Sequence, residues 1–590
     1  MKKNKVSKYL ISFTFIVTLL LVSGCKDFLT EINPNQQTTA SFWKTLDDAD
    51  QGLTAVYSRF KDGNLYGVDI NNWSDLTFPG FGNRVSTTNE LYLASFTNST
   101  KTVTSFWSAL YNGVFRANQV ISGMKTVTYT SSLAEQNRAK YILGQAYFFR
   151  GLFYFYLYNT FNKGSLPIKT EKNMYDLFCK LSPAVDVRAF YLNDLDSAYA
   201  KLPDNWRSSV PDQGRATKGA AAVVLGQSYL YEKDYTKAAT YFLDVMNNTN
   251  YGNTNGYQLE NNVGDNFNVS GELNNESILE ICYSKKYLQD QVGGSDNGVS
   301  TGLARNLAAA PVGGWRSIIP AAWLEMAFRE DVLDYTDPRN MYSNGSFHSY
   351  SLRLAKSIAC TQDTSSIVYG IKQYLAYNYA AKETSYFKKF TNCETAGVTG
   401  EDKLLSQSSV NFRVIRLADV YLMYAECMIK GGTDDAGVNE ALKYVNRVRH
   451  RSALQLLGIP GTDEFPLAQH DYISYTAQTL MDFIKWKERP MELCLEGYAM
   501  RHIDLRRWGG VKDRFNLLSQ QPYLTQNFSY KNPTGTNTVT IWNGTLVRAS
   551  APLPTGYITE FVQTAQAITP AWDYFPIPSG EETANPDLYK

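Results

Sequence analysis

Residues 218–245, KGAAAVVLGQSYLYEKDYTKAATYFLDV, carry the pattern from which the fold follows. Leu225-Gly226, Tyr229, Ala238 and Phe242 recur there at the spacing of two antiparallel helices whose small residues allow close approach. Leu143-Gly144 and Tyr147 repeat the first half of that pattern. A looser copy runs from Ala418 to Arg451. In it Tyr421, Leu422 and Ala425 mark one helix and Ala441, Tyr444 and Val445 its partner, with Gly431-Gly432 as an overlong turn. These are the positions of a tetratricopeptide-like unit, and they predict several helix pairs in series, not a perfect array.

Outward from these units, a helical period starts near Phe42 with Leu46, Ala49, Leu53, Val56 and Tyr57. It returns at 105–124 and 133–159, where Asn162-Lys163-Gly164 and Pro167 stop it. Residues 62–103 lose periodicity and read as a long loop rich in Gly, Asn, Thr and aromatics, of a kind that is usually functional. Between about 250 and 410 the composition turns to Gly, Asn, Ser and Tyr. There Ser277 to Tyr283 predicts a short strand, Gly293 to Gly314 a glycine-rich loop and Ala321 to Phe328 a helix. Helix is expected again from Arg413, and Trp572 to Pro578 reads as an extended segment docked on the body. The predicted fold class is mainly α, with tetratricopeptide-like helix pairs as a scaffold and a large irregular, loop-rich part carrying short strands.

The N-terminus has its own logic. Lys2, Lys3 and Lys5 precede an apolar run from Tyr9 to Leu21, and Val22-Ser23-Gly24-Cys25 places small residues before a cysteine. The run is short for a membrane span, so residues 1–24 read as the signal peptide of a bacterial lipoprotein whose mature chain begins at a lipid-modified Cys25. Residues 26–40, with Pro34 and a polar stretch, read as a tether.

Lys plus Arg number 57 against 56 Asp plus Glu, so no overall field draws the chain to nucleic acid, and any binding must be local. With 41 Tyr and 10 Trp, many flat, polar-tipped rings are expected to stay partly exposed, which suits a protein that binds sugars, although a large helical core would consume many of the same residues. Beyond Cys25, Cys179, Cys282, Cys360, Cys393, Cys427 and Cys494 are scattered without a C-x-x-C pair, which argues against zinc and a disulfide framework. Neither H-E-x-x-H nor an acidic calcium loop is present, so no metal or cofactor is expected.

In chain order stand the lipobox with Lys26-Asp27-Phe28-Leu29; Gly144-Gln145-Ala146-Tyr147-Phe148-Phe149-Arg150; Gly214-Arg215-Ala216-Thr217-Lys218-Gly219-Ala220-Ala221; and Asn275-Glu276-Ser277-Ile278-Leu279-Glu280-Ile281. They are followed by Arg416-Leu417-Ala418-Asp419-Val420-Tyr421-Leu422-Met423-Tyr424-Ala425-Glu426; Glu488-Arg489 with Glu492-Leu493 and Glu496-Gly497; Asp504-Leu505-Arg506-Arg507-Trp508-Gly509; and Phe575-Pro576-Ile577-Pro578. Together these segments resemble the SusD/RagB family of outer-membrane lipoproteins over almost the whole chain. The resemblance implies an N-terminal helical region at 25–250 and a loop-rich C-terminal region at 251–590. It also implies a non-enzymatic, outward-facing lipoprotein of the cell outer membrane that binds oligo- or polysaccharide and passes it to a SusC-like TonB-dependent transporter. Asp27 fits the acidic position that accompanies export to the outer face.

A sugar binder needs an exposed ring to stack on and polar groups to pair with hydroxyls. The loop from Gly63 to Phe96 offers Tyr66, Asp69, Asn71, Asn72, Trp73, Asp75, Asn89 and Tyr92. Gly313-Gly314-Trp315-Arg316 resembles the place from which family members supply a stacking aromatic. The expected glycan-binding residues are therefore Trp73, Asp75, Asp69, Asn72, Tyr92, Trp315 and Arg316.

Three alternatives stay open in the sequence. Gly298-Val299-Ser300-Thr301-Gly302 matches a nucleophile elbow but lacks a preceding strand. Asp69 and Asp75 could form the carboxylate pair of a glycoside hydrolase. The helix pairs could instead serve a lipid-anchored periplasmic adaptor that binds a peptide or protein. His502 lies among Arg501, Arg506 and Arg507, and these arginines are expected to pair with Glu488, Glu492 and Glu496 in a structural cluster.

Overall fold

A computed structural model describes residues 42–79, 84, 87–284, 301–377, 383–394, 408–461, 463–531 and 536–590. The leader, Cys25, Asp27, the tether and most of the Gly298–Gly302 motif lie outside the described residues. The fold is mainly α. Its long helices are α1 (Leu46–Phe60), α2 (Lys101–Gly123), α3 (Leu133–Thr160), α4 (Ala184–Lys201), α5 (Lys218–Tyr231), α6 (Tyr235–Asn247), α7 (Leu417–Met428) and α8 (Val438–Arg451).

Local chemistry fixes where these helices begin. Thr45 and Asp48 form a reciprocal capping box at the start of α1, with the Asp48 carboxylate accepting from the Thr45 N–H at 2.8 Å. Thr217 caps α5 by accepting from the Ala220 N–H. Along α1 the buried residues Leu46, Ala49, Leu53, Val56 and Phe60 form the stripe expected of an amphipathic helix.

Each long helix packs on the next, α1 on α2 and so on through α8. The small residues of the repeat make this possible. A Cβ on Gly226 of α5 would lie 2.5 Å from the ring of Phe242 on α6, and one on Gly113 of α2 would lie 2.4 Å from Phe153 on α3. Gly226→Ala therefore tests the helix pair. Helix propensity alone favours Ala over Gly by about 1 kcal/mol, whereas forcing a methyl against a fully buried ring costs about 1–3 kcal/mol. A lower urea midpoint is expected; a higher one would mean that α5 and α6 are not in this close contact.

The array is continuous in space but broken in sequence. α6 packs directly on α7, although 169 residues, from Asn248 to Arg416, separate them. Most of that excursion, residues 282–411, leaves and returns through one neck, where the strands β1 (Ser277–Ile281) and β2 (Phe412–Arg416) pair antiparallel. The expectation of helix from Arg413 is thus corrected: Arg413 to Arg416 are strand, and α7 starts at Leu417, whose N–H donates to the Glu276 carbonyl at 2.9 Å. Within the excursion, Leu303–Leu307, Ala322–Arg329, Leu352–Ser357 and Gln373–Ala376 are short helices and the strands occur as two-stranded pairs.

A buried ion network locks the neck to the scaffold. Among the described residues it comprises five cations, Arg353, Lys389, Arg416, Arg449 and Arg451, and five carboxylates, Glu276, Asp331, Glu488, Glu492 and Glu496. Arg416 alone reaches Glu276 and Glu492 at 2.7 Å and Glu496 at 2.6 Å. The predicted partners of the 501–507 arginines are therefore corrected. Arg501 pairs with Asp75, Arg507 pairs with Glu426 and Asp504, and Arg506 donates to backbone carbonyls, while the three glutamates belong to the neck.

The tail does dock. Pro570–Asp573 is a 3-10 turn, after which the Phe575 N–H donates to the Thr160 carbonyl at 2.7 Å and its carbonyl accepts from Asn162 at 2.9 Å. A long hairpin, Tyr523–Lys531 with Thr538–Arg548, completes the C-terminal part and was not anticipated from sequence.

Candidate functional site

The segment after α1 is not an open loop. Asp62 caps the short helix Gly63–Tyr66, Asp69–Asn72 form a 3-10 turn, and Thr77–Pro79 pair with Ile318–Pro320. Residues 72–79 are buried. Trp73 is fully enclosed, stacked on His502 at 3.5 Å and on Phe575 at 3.8 Å, with its indole N–H donating to the Trp572 carbonyl. Burial, and then the neighbouring Arg506, hold His502 neutral, its pKa well below the usual imidazole value.

Asp75 lies between Arg501 at 2.7 Å and Arg514 at 2.8 Å. Burial alone would raise its pKa, but the two guanidiniums outweigh burial and bring it down to about 2. Asn72 accepts from the Thr77 hydroxyl, and the Tyr92 hydroxyl accepts from the Phe561 N–H. The expectation that Trp73, Asp75, Asn72 and Tyr92 face a ligand is therefore corrected: their faces and polar atoms are used up inside the protein. Asp69 remains exposed. Because Asp75 is interior and salt-bridged, Asp69 and Asp75 cannot act as a hydrolytic pair.

Trp315 stands apart from these. It is 45% exposed on a loop of unusual backbone, in which Gly313 has φ +91° and Arg316 φ +53°. A Cβ on Gly314 would lie 2.0 Å from the Ala308 carbonyl oxygen, so only glycine lets the loop press onto the helix Leu303–Leu307. Three backbone bonds hold it there: Trp315 to Arg305, Arg316 to Ala308 and Ser317 to Asn306. The Arg305 guanidinium covers the indole at 4.4 Å from the ring centroid. Arg316 pairs with Glu383, which also accepts from the Tyr386 hydroxyl at 2.6 Å. The indole is thus a braced platform ringed by paired polar groups.

The same short helix lines a cleft of about 560 Å³. Leu303 and Asn306 form one wall, and Arg59, Lys61, Asp62 and Asn64, at the end of α1 and the turn after it, form another, with Tyr66 and Tyr283 also lining it. Tyr66 is anchored by its hydroxyl to Tyr156, whereas Arg59 is well exposed. Hydroxyl-rich ligands suit such a lining, which mixes donors, acceptors and ring faces. Of the loop residues named from the sequence, Tyr66 lines this cleft, whereas Asp69, Asn72, Trp73, Asp75 and Tyr92 do not.

Residues 223–590 match a family model described as the SusD family, and residues 27–230 match one described as starch-binding, associating with the outer membrane. The chain belongs to the SusD family. SusD-like protein P2 of Formosa agariphila is 26% identical over 90% of this chain and 96% of its own. A SusD superfamily protein of Bacteroides vulgatus and a SusD-like carbohydrate-binding protein of Bacteroides fragilis each superpose with TM-score 0.66 at 21% identity. They cover 93% of this chain and 98% and 100% of theirs. A laminarin-binding SusD-like protein follows at TM-score 0.62 and 21% identity, covering 92% of this chain and 98% of its own. At these identities the structural likeness establishes the SusD fold.

Within this SusD fold the other chemical motifs fall apart. Thr301 forms a bridge with Ser408, and Gly302 precedes the helix Leu303–Leu307. The four histidines occupy separate places: His348 beside Tyr342 and Tyr350, His450 stacked on Phe465, His470 bonded to Asp463 and His502 under Trp73.

Proposed function

We propose that this SusD-family protein captures oligo- or polysaccharide at the surface around Trp315, does not cleave it, and delivers it to a SusC-like TonB-dependent transporter. The carrying observation is Trp315: a large apolar ring left half exposed, yet fixed by glycine-dependent backbone contacts and a covering guanidinium. A rigid, half-exposed ring offers the flat apolar face on which a sugar ring can stack. Arg316 and Glu383 beside the ring, Asp69 on the surface and the polar cleft under Leu303 and Asn306 would pair with sugar hydroxyls. The carbohydrate-binding and laminarin-binding neighbours support this ligand class. A lipid on Cys25 would hold the body on the outer face of the outer membrane, and protease treatment of intact cells should release it; an untouched body would favour the periplasmic adaptor.

Trp315→Ala should weaken binding to whichever glycan a panel of plant, host and microbial polysaccharides identifies by affinity electrophoresis. The expected loss is about 1–3 kcal/mol, typical of one stacked ring, with an unchanged unfolding midpoint. Calorimetry showing equal affinity for wild type and variant would remove Trp315 from the site.

A further inference from the structure

A second cleft, of about 440 Å³, shares no lining residue with the first. Trp323, Phe483, Trp486, Lys487, Arg514 and Gln521 line it. A π turn, Ile484–Glu488, interrupts the helical run 477–493 there, sending Glu488 and Arg489 into buried ion pairs while Trp486 and Lys487 stay on the cleft side. The Arg514 guanidinium is sandwiched between two indoles, 4.1 Å from Trp323 and 4.9 Å from Trp486.

The cleft's carboxylates are all engaged. Glu330 pairs with Arg548 and Asp331 with Arg353, and Asp471 accepts from the Tyr475 hydroxyl and two backbone N–H groups. Not all of the cleft's donors are. Arg514, 7% exposed in its side chain, spends Nε on Asp75, and its buried Nη2 has no hydrogen-bond partner among the described residues. Lys487 is exposed, its ammonium 5.6 Å from the Phe483 ring centroid and without an ion pair among the described residues, and Trp486 is a half-buried wall of the cleft. Behind this wall Asp75 faces two guanidiniums and neutralises only one charge.

We propose that this cleft is a second ligand site that takes a saccharide bearing an anionic substituent, carboxylate or sulfate. The sugar ring stacks on Trp486, and the anionic group accepts from the free edge of Arg514 and from Lys487. That the ligand is a saccharide rests on the function proposed above; that it is anionic rests on the unmatched donors.

Calorimetry on the full chain at low salt, with tetragalacturonate, its methyl ester and a sulfated galactan oligomer as probes, tests this. One of the two anionic probes should bind at least about tenfold more tightly than the ester. Trp486→Ala and Lys487→Glu should each weaken that binding about tenfold or more, and Trp315→Ala should leave it unchanged. Lys487 is exposed, so its reversal keeps the test sound if Trp486→Ala unfolds. Equal binding of acid and ester, binding of neither anionic probe, or indifference to Lys487→Glu would overturn the proposal. Loss in Trp315→Ala alone would move the ligand to the first site, whereas failure of Trp315→Ala to affect neutral glycans would leave this second site standing.

Discussion

Glu492→Gln should lower the stability of the fold by about 3–5 kcal/mol, the range seen when one partner of a buried ion pair is removed. Glu492 is fully buried and faces Arg416 at 2.7 Å, Arg353 at 3.5 Å and Arg451. Burial would raise its carboxyl; the three guanidiniums outweigh that and bring it down to about 2. Glutamine fills the same volume but leaves five buried cations facing four carboxylates, and none can reach water. A carboxyl whose folded value lies below its unfolded value, about 4.3, contributes fully above that pH and ceases to contribute as pH falls through about 2. The urea midpoints of wild type and Glu492→Gln should therefore differ widely at neutral pH and converge in that acid window. A gap that stayed constant with pH would mean that charge at Glu492 is not the cause.

Trp73→Ala should cost a similar amount, about 3–5 kcal/mol for truncating a large enclosed aromatic. The indole fills the space between His502 and Phe575 and bonds the Trp572 carbonyl, so its removal also frees the tail segment around Phe575. Faster proteolysis near residues 570–578 is expected alongside the lower midpoint, and Trp73→Phe should recover part of both. Glycan affinity measured below the unfolding transition should not change. An intact midpoint with lost glycan binding would return Trp73 to the ligand surface.

The helix pairs could be read in the sequence because their signal is local: Gly226 and Phe242 face each other across one turn. Trp73 could not. Among Asn71, Asn72 and Asp75 it looks like a platform for sugar, and only His502, Trp572 and Phe575, more than 400 residues away, make it a plug. Asp75 misled for the same reason, its partners being Arg501 and Arg514. Trp315 was reached only through the resemblance of Gly313-Gly314-Trp315-Arg316 to its family, and the structure adds that its ring is exposed and braced. The second cleft was hidden, since Trp323, Trp486 and Arg514 meet only in the folded chain. The hairpin at 523–548 left a short readable trace that went unused: apolar and polar residues alternate over Phe528-Ser529-Tyr530 and Val539-Thr540-Ile541, on either side of Asn532-Pro533-Thr534-Gly535.

Because the 130 residues from Cys282 to Asn411 enter and leave through the paired strands Ser277–Ile281 and Phe412–Arg416, this part behaves as a cassette that could be exchanged for another, carrying Trp315 and its surroundings with it. The exchange has a condition. Arg353 and Lys389 travel with the cassette while Glu488, Glu492 and Glu496 stay with the host, so a graft lacking two matching cations would strand negative charge at the seam. New ligand specificity can be moved between such chains only when the charges at the join are moved with it.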